Sequence, residues 1–316
     1  MLARFWGVRG SIPTPPDSIQ IKEQMLELLK YASVKDISDD YNREQVIQDF
    51  LNAKPLLIGG NTSCVELRTD DKIIIFDMGT GIRNLGLYLM NETSSEEGSE
   101  YHIFLSHSHW DHIQGFPFFS PAYLPQNKIF FYSVHPDLQK RLEMQQNSLF
   151  FPVKLADMPS RMEFIQMEEN CHIELGNLFI ENRELYHPGK SYAFSVKKGN
   201  KKFVFATDSE YKDTNPTAAE KYISFFKNAD LLVFDAQYTF SEGIQKEDWG
   251  HSTSVAGIDL AVEAGVKRIA LFHHEPENND IKLNSMLTQA QRYRRINYPD
   301  AGLEILLSYE GMEIKI

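Results

Sequence analysis

The apolar run Tyr101-His102-Ile103-Phe104-Leu105-Ser106 leads straight into His107-Ser108-His109-Trp110-Asp111-His112, and this junction decides how the rest of the chain is read. Four side chains of metal-ligating type fall within six residues. His107 and His109 stand two apart, so in an extended or looped backbone both imidazoles face one ion. Asp111 and His112 follow where the chain turns towards a helix, and they offer a carboxylate and another imidazole to a neighbouring position. A polar loop with chance histidines has no reason to concentrate ligands directly after a buried strand.

Working outward, the same arrangement recurs. Leu178 to Tyr186 reads as a strand and ends at His187, ahead of Pro188-Gly189 and a further strand, Tyr192 to Val196. Lys202 to Thr207 ends in Asp208, and Arg268 to Phe272 ends in His273. A lone His or Asp at a strand end is ordinarily a solvated or capping residue. Repeated delivery of ligand types at the carboxyl ends of apolar strands points instead to one shared site.

The hexapeptide resembles the His-x-His-x-Asp-His signature of the metallo-β-lactamase-fold metallohydrolases. His187, Asp208, the Gly250-His251-Ser252-Thr253 stretch and Leu271-Phe272-His273 extend the resemblance over nearly the whole chain, towards the branch of ribonuclease Z and small phosphodiesterases. The resemblance implies an α/β chain folded as a four-layer αββα sandwich, a single domain over residues 1–316 with a helical insertion at about 17–58. It also implies two divalent metal ions at one edge, zinc foremost, with manganese or iron open. By position, His107, His109 and His187 would hold one ion and Asp111, His112 and His273 the other, with Asp208 bridging. His274 is the alternative to His273, but neighbouring strand residues face opposite ways and the first aligns better. Asp77-Met78-Gly79-Thr80-Gly81 resembles the family's Asp-x-Gly-x-Gly turn, whose Asp braces neighbouring loops. Asp235, ending the strand Leu231 to Phe234, is expected to support the metal set without joining it.

Two such ions with two carboxylates and a bridging hydroxide leave roughly one positive charge, which suits an anionic substrate and charge developing on phosphorus. The expectation is a metal-dependent hydrolase, a phosphodiesterase of small or cyclic phosphodiesters attacked in line by that hydroxide. Asp111 and His251 would carry the chemistry, His251 as proton donor to the leaving oxygen. The aromatic, proline-broken stretch after His112 places Phe116, Phe118, Phe119 and Tyr123 where a substrate pocket is commonly walled. A ribonuclease Z-like endoribonuclease is the alternative. It is favoured by Gly250-His251-Ser252-Thr253 but opposed by the charge balance, by the lack of a basic, glycine-rich arm, and by Asp235-Ala236-Gln237-Tyr238-Thr239-Phe240, where the ribonucleases resemble His-Glu-Ala-Thr. A non-catalytic metal-binding regulatory protein is the third reading, and an intact ligand set argues against it. Lactamase and thioesterase chemistry share the fold, so ligands alone do not name the bond cleaved.

Composition sets the remaining limits. With 316 residues, 42% of them hydrophobic, the chain can bury a large core. Lys plus Arg number 32 against 44 Asp plus Glu, and the net charge of −12 opposes a polyanionic partner. A small anionic phosphodiester is thus the expected partner, with nucleic acid disfavoured. Cys64 and Cys171 are too few for a disulfide framework and read as core thiols in a reducing interior. No basic leader precedes a long apolar stretch and no segment has the length of a membrane span, so a soluble, cytoplasmic protein is expected. Helical periodicity from about Ile19 to Leu51 marks a packing or homodimer element, with a lid over the site as the runner-up. Asn91 to Glu100 reads as a solvated loop, and His102, His135 and His172 as ordinary histidines.

Overall fold

A computed structural model describes residues 1–32, 38–53, 57–92, 98–211 and 216–316. Parts of the expected helical insertion (33–37 and 54–56) and of the expected loop at 91–100 (93–97) lie outside the described residues. Among the described residues, fourteen strands form two mixed sheets. The first contains β1 (Leu2–Gly7), β2 (Cys64–Arg68), β3 (Ile73–Phe76), β4 (Glu100–Phe104), β5 (Lys128–Ser133) and β6 (Arg161–Gln166). The second is built from β7 (His172–Leu175), β8 (Leu178–Leu185), β9 (Ser191–Lys198), β10 (Lys201–Ala206), β11 (Leu231–Asp235), β12 (Arg268–Phe272) and β13 (Glu304–Leu307). The last strand, β14 (Glu313–Lys315), returns to the first sheet and pairs antiparallel with β1.

Each sheet is antiparallel at one end and parallel at the other. β3, β4, β5 and β6 are parallel neighbours, as are β10 to β13. Parallel strands covered on both faces need continuous apolar runs, which Ile73-Ile74-Ile75-Phe76 and Leu231-Leu232-Val233-Phe234 supply. The sheets meet through phenylalanines: Phe76 packs on Phe203 and Phe205, each at 5.2 Å between ring centroids, and Phe104 on Phe194 at 5.4 Å. Nine α-helices are present among the described residues. α1 (Ser18–Tyr31) starts at a capping box in which Asp17 accepts from the backbone of Gln20, and α2 (Asp40–Ala53) follows it. α3 (Gly81–Glu92) buries Ile82, Leu85 and Leu89 against the outer face of the first sheet. α4 (Trp110–Ile113) holds the second half of the hexapeptide, and α5 (Leu138–Gln145) and α6 (Pro216–Phe226) come next. α7 (Phe240–Gln245), α8 (Ser254–Glu263) and α9 (Asp280–Asn297) complete the set, and Ile258, Leu283, Met286 and Ala290 of the last two join the core cluster of the second sheet. The layers therefore run helix, sheet, sheet, helix.

This topology concentrates strand ends. Since β8 and β10 are both antiparallel to β9, they point the same way, and β11 and β12 follow β10. Their carboxyl ends emerge along one edge of the second sheet, while those of β3 and β4 emerge together from the first. Cys64 is buried as expected, but Cys171 is exposed just before β7, which corrects its reading as a core thiol. No helix among the described residues is long and apolar enough to cross a membrane.

Candidate metal centre

At that edge, seven side chains converge. His107, His109 and His187 form one group, and Asp111, His112, Asp208 and His273 form another, with the ligand-type atoms of each group within 4.8 Å of one another. Asp208 serves both. Its Oδ2 lies 3.6 Å from His107 Nε2 and 3.8 Å from His187 Nε2, while its Oδ1 lies 3.3 Å from both His112 Nε2 and His273 Nε2. Asp111 Oδ2 is 3.2 Å from the same two nitrogens. Ligands about 2.0–2.1 Å from a tetrahedral ion sit roughly 3.3 Å apart, which is the spacing seen among Asp111, His112, Asp208 and His273.

Hydrogen bonds around the site fix which nitrogen is free. His112 donates from Nδ1 to Asp77 Oδ2 (2.7 Å), His187 from Nδ1 to the Gly250 carbonyl (2.8 Å), and His273 from Nδ1 to Gln237 Oε1 (3.2 Å). With those protons on Nδ1, each Nε2 faces the group and offers a lone pair to an ion once any second proton has left. His107 Nε2 is buried without a hydrogen-bond partner, a costly arrangement that a metal ion resolves. Burial holds the imidazoles of His107, His109 and His187 below the usual histidine range, and therefore neutral as ligation requires. Burial alone would raise Asp208 and Asp111, yet the facing His112 and other imidazoles pull both carboxyls well below their usual range. Burial also opposes charge on His273, but Asp208 and Asp111 override it and raise the group to about 9. The same carboxylates that would hold a cation now hold protons on His273 and His112, so loading this group with metal releases protons. The donor set fits a dinuclear metal site.

The backbone pays close attention to these rings. Asp208 (φ 58°) and His273 (φ 60°) both leave their strands in the left-handed region, a conformation non-glycine residues adopt rarely. A Cβ at Gly10 would stand 2.4 Å from His273 Cε1, so only glycine lets the loop after β1 cover that ring. Gly250 (φ 85°) accepts from His187, and a Cβ there would meet the same imidazole at 2.4 Å from Nδ1. The next residue after Gly10, Ser11, donates its backbone N–H to Asp111 Oδ2 at 2.7 Å. Asp77 accepts from Ser106 N, Ser106 Oγ and Ser63 Oγ as well as from His112, and so ties the loops of the first sheet together.

The other expected residues separate. His274 turns away, donating from Nε2 to the Ser308 carbonyl at 2.8 Å. His251 lines the cavity beside the metal group, with Nδ1 2.8 Å from Asp235 Oδ2. His251 can also be grouped with His187 and Asp208, or with Asp235 and His273, as a ligand set. Its Nδ1 is already engaged by Asp235 and lies 4.0 Å from Asp208, which disfavours ligation through that nitrogen. Phe116 and Phe119 are fully buried, in edge contact with Phe131 and Tyr101, so the expectation that they wall the substrate pocket is corrected: the short turns after α4 point them into the core. Phe118 and Tyr123 are exposed in part but are absent from the cavity wall, and Tyr123 donates to the Pro117 carbonyl. The wall of this roughly 400 Å³ cavity consists of Ser11, Ser108, His109, Trp110, Asp111, Asp208, His251 and His273. Sequence reasoning missed Ser11, Ser108 and Trp110 there. Only the position of Ser108 and Trp110 inside the hexapeptide carried a signal.

A protein-family model described as a beta-lactamase superfamily domain matches residues 74–274, which takes in all seven converging side chains. The chain belongs to this superfamily, in its metal-binding, metallo-β-lactamase form, and is a metal-dependent hydrolase related to ribonuclease Z. Ribonuclease Z of Picrophilus torridus is 23% identical over 282 residues, covering 74% of this chain and 85% of its own. Among solved structures, the metallo-β-lactamase fold protein YhfI of Bacillus subtilis superposes with a TM-score of 0.62 at 17% identity, covering 99% of this chain and 98% of its own. Human tRNase Z, short form, gives 0.59 at 17% identity, covering 100% of this chain and 99% of its own.

Proposed function

We propose that the chain hydrolyses phosphodiesters at a two-metal centre. The observation that carries this reading is Asp208, whose two carboxylate oxygens each face a separate imidazole group, with the His251–Asp235 pair beside them in the same cavity. Two divalent ions bound there would supply Lewis acidity and lower the pKa of a water to about 7. The chain's own residues do the rest. Ser11 N and Asp77 hold Asp111 and His112 in place, Gln237 and the Gly250 carbonyl orient His273 and His187, and His251 gives a proton to the departing oxygen while Asp235 keeps its ring in register.

For the substrate, the relatives favour RNA. The ribonuclease Z of Picrophilus torridus matches most of the chain, which moves the weight from a small or cyclic phosphodiester, the first expectation, to ribonuclease Z-type cleavage of a precursor tRNA. The small-phosphodiester reading keeps two supports: the net charge of −12, and a cavity wall without a Lys or Arg among its described residues. A turnover screen of the metal-loaded protein against precursor tRNA, cyclic nucleotides, bis(p-nitrophenyl) phosphate and a β-lactam decides. Precursor cleavage whose affinity falls steeply with salt establishes the endonuclease, whereas salt-insensitive turnover of a small diester establishes the second reading. Failure to hydrolyse any phosphodiester overturns both.

A further inference from the structure

Besides the metal group, the cavity wall offers a substrate only Ser11, Ser108, Trp110 and His251. Three of these are polar. Trp110 is the one apolar side chain on the described wall, and it is 83% exposed. Indole is large and mostly apolar, and tryptophan is usually well buried, so an exposed one beside a metal centre is not explained by folding. Its ring takes part in no aromatic or cation contact and its Nε1 in no hydrogen bond among the described residues. By contrast, Trp6 packs on Tyr88 and donates to Glu66. Trp110 opens α4 directly after His109, so its Cα is fixed by two neighbouring members of the metal group, His109 and Asp111.

Ser108 adds a polar counterpart. Arg141, on α5, donates to Ser108 Oγ at 2.6 Å. With its oxygen accepting from a guanidinium, the hydroxyl is left to donate its own proton, and it stands in the cavity wall. An oriented O–H donor suits a phosphoryl oxygen, and a bare indole face suits a flat ring.

We infer that Trp110 is the specificity-determining contact of the site and stacks an unpaired nucleobase next to the scissile phosphate, so that the substrate is a nucleotidyl phosphodiester. This rests on the phosphodiester reading above and narrows it. Stacking is available to a base at an RNA end and to one in a small nucleotide, and every base has a face to offer.

Two esters with the same leaving group isolate the contact: thymidine 5′-(p-nitrophenyl phosphate), which has a base, and ethyl p-nitrophenyl phosphate, which has none. Trp110→Ala should lower kcat/KM for the thymidine ester about tenfold or more, mainly through KM, while the ethyl ester stays within about twofold. Trp110→Phe, which keeps a ring, should recover most of the loss, and the count of bound metal ions should not change in either variant. Equal losses on both esters, or none on the thymidine ester, overturn the inference. Should the wild-type protein hydrolyse neither ester, the phosphodiester reading rests on the precursor-tRNA arm of the screen above. Calorimetric binding of thymidine monophosphate against ribose 5-phosphate, with wild-type protein and Trp110→Ala, then decides the stacking on its own: a preference for the nucleotide that vanishes in the variant supports it, and an unchanged preference overturns it.

Discussion

Asp235 Oδ2 stands 2.8 Å from His251 Nδ1, a pairing that joins the end of one strand to a loop sixteen residues further on. Held this way, the imidazole keeps its other nitrogen for the cavity. A departing alkoxide needs a proton, whereas a nitrophenolate leaves without one. His251→Ala should therefore slow hydrolysis of an alkyl phosphodiester by about a hundredfold or more and affect a nitrophenyl ester far less. Elemental analysis should still find both ions. Equal losses on the two substrates, or a lost ion, would return His251 to a structural or ligating role.

Asp208 is expected to govern both metal positions together, since one oxygen faces each group. Wild-type protein should bind two transition-metal ions per chain, and Asp208→Ala should bind both more weakly and lose turnover. Full two-ion occupancy in that variant at micromolar metal would take Asp208 out of the bridge.

Gly10→Ala tests a contact made by no ligand. The added Cβ would press on the His273 ring, so affinity for one of the two ions should fall by about 10–100-fold, the range known for disturbed partners of metal ligands. Competition with a chelator reads this as one weakened ion and one unaltered. Two equally weakened ions would mean that the loop after β1 supports the whole edge.

Acid should destabilise the fold through His102 as well as through the metal centre. Burial lowers this imidazole to about 4; it stacks on Phe130 and its Nδ1 lies 3.1 Å from Tyr132 Oη. Between the unfolded value near 6.5 and the folded value, the unfolded chain binds the extra proton, so stability is lost as pH falls through that window, by up to about 1.4 kcal/mol per pH unit. His102→Gln should flatten the dependence of Tm on pH between 6.5 and 4. An unchanged slope would show that His102 does not contribute.

The converging residues were legible because each follows an apolar run, and a parallel strand delivers its carboxyl end to the same edge as its neighbours. Of the residues that orient them, Asp77 was legible as a brace and the others were not. Gln237 meets His273 across 36 positions, and the donors and acceptors at Ser11 and Gly250 are backbone atoms, which any side chain would have carried. The left-handed turn at His273 is likewise silent in sequence, since histidine does not announce a positive φ. The aromatic stretch after His112 misled for a related reason: its prolines did break regular structure, but tight turns sent Phe116 and Phe119 inwards while leaving Phe118 outside. A run of apolar residues in a loop has no period from which to read a face.

His107, His109, Asp111 and His112 hang from the first sheet, and His187, Asp208 and His273 from the second. Any ion held by members of both sets is a clasp across the sandwich. Parting the two sheets then requires the ion to leave, and the ion's affinity adds directly to the cohesion of the halves. A chelator should therefore lower the Tm of this protein, loosening first the edge where the strands end and then the phenylalanine contacts between the sheets.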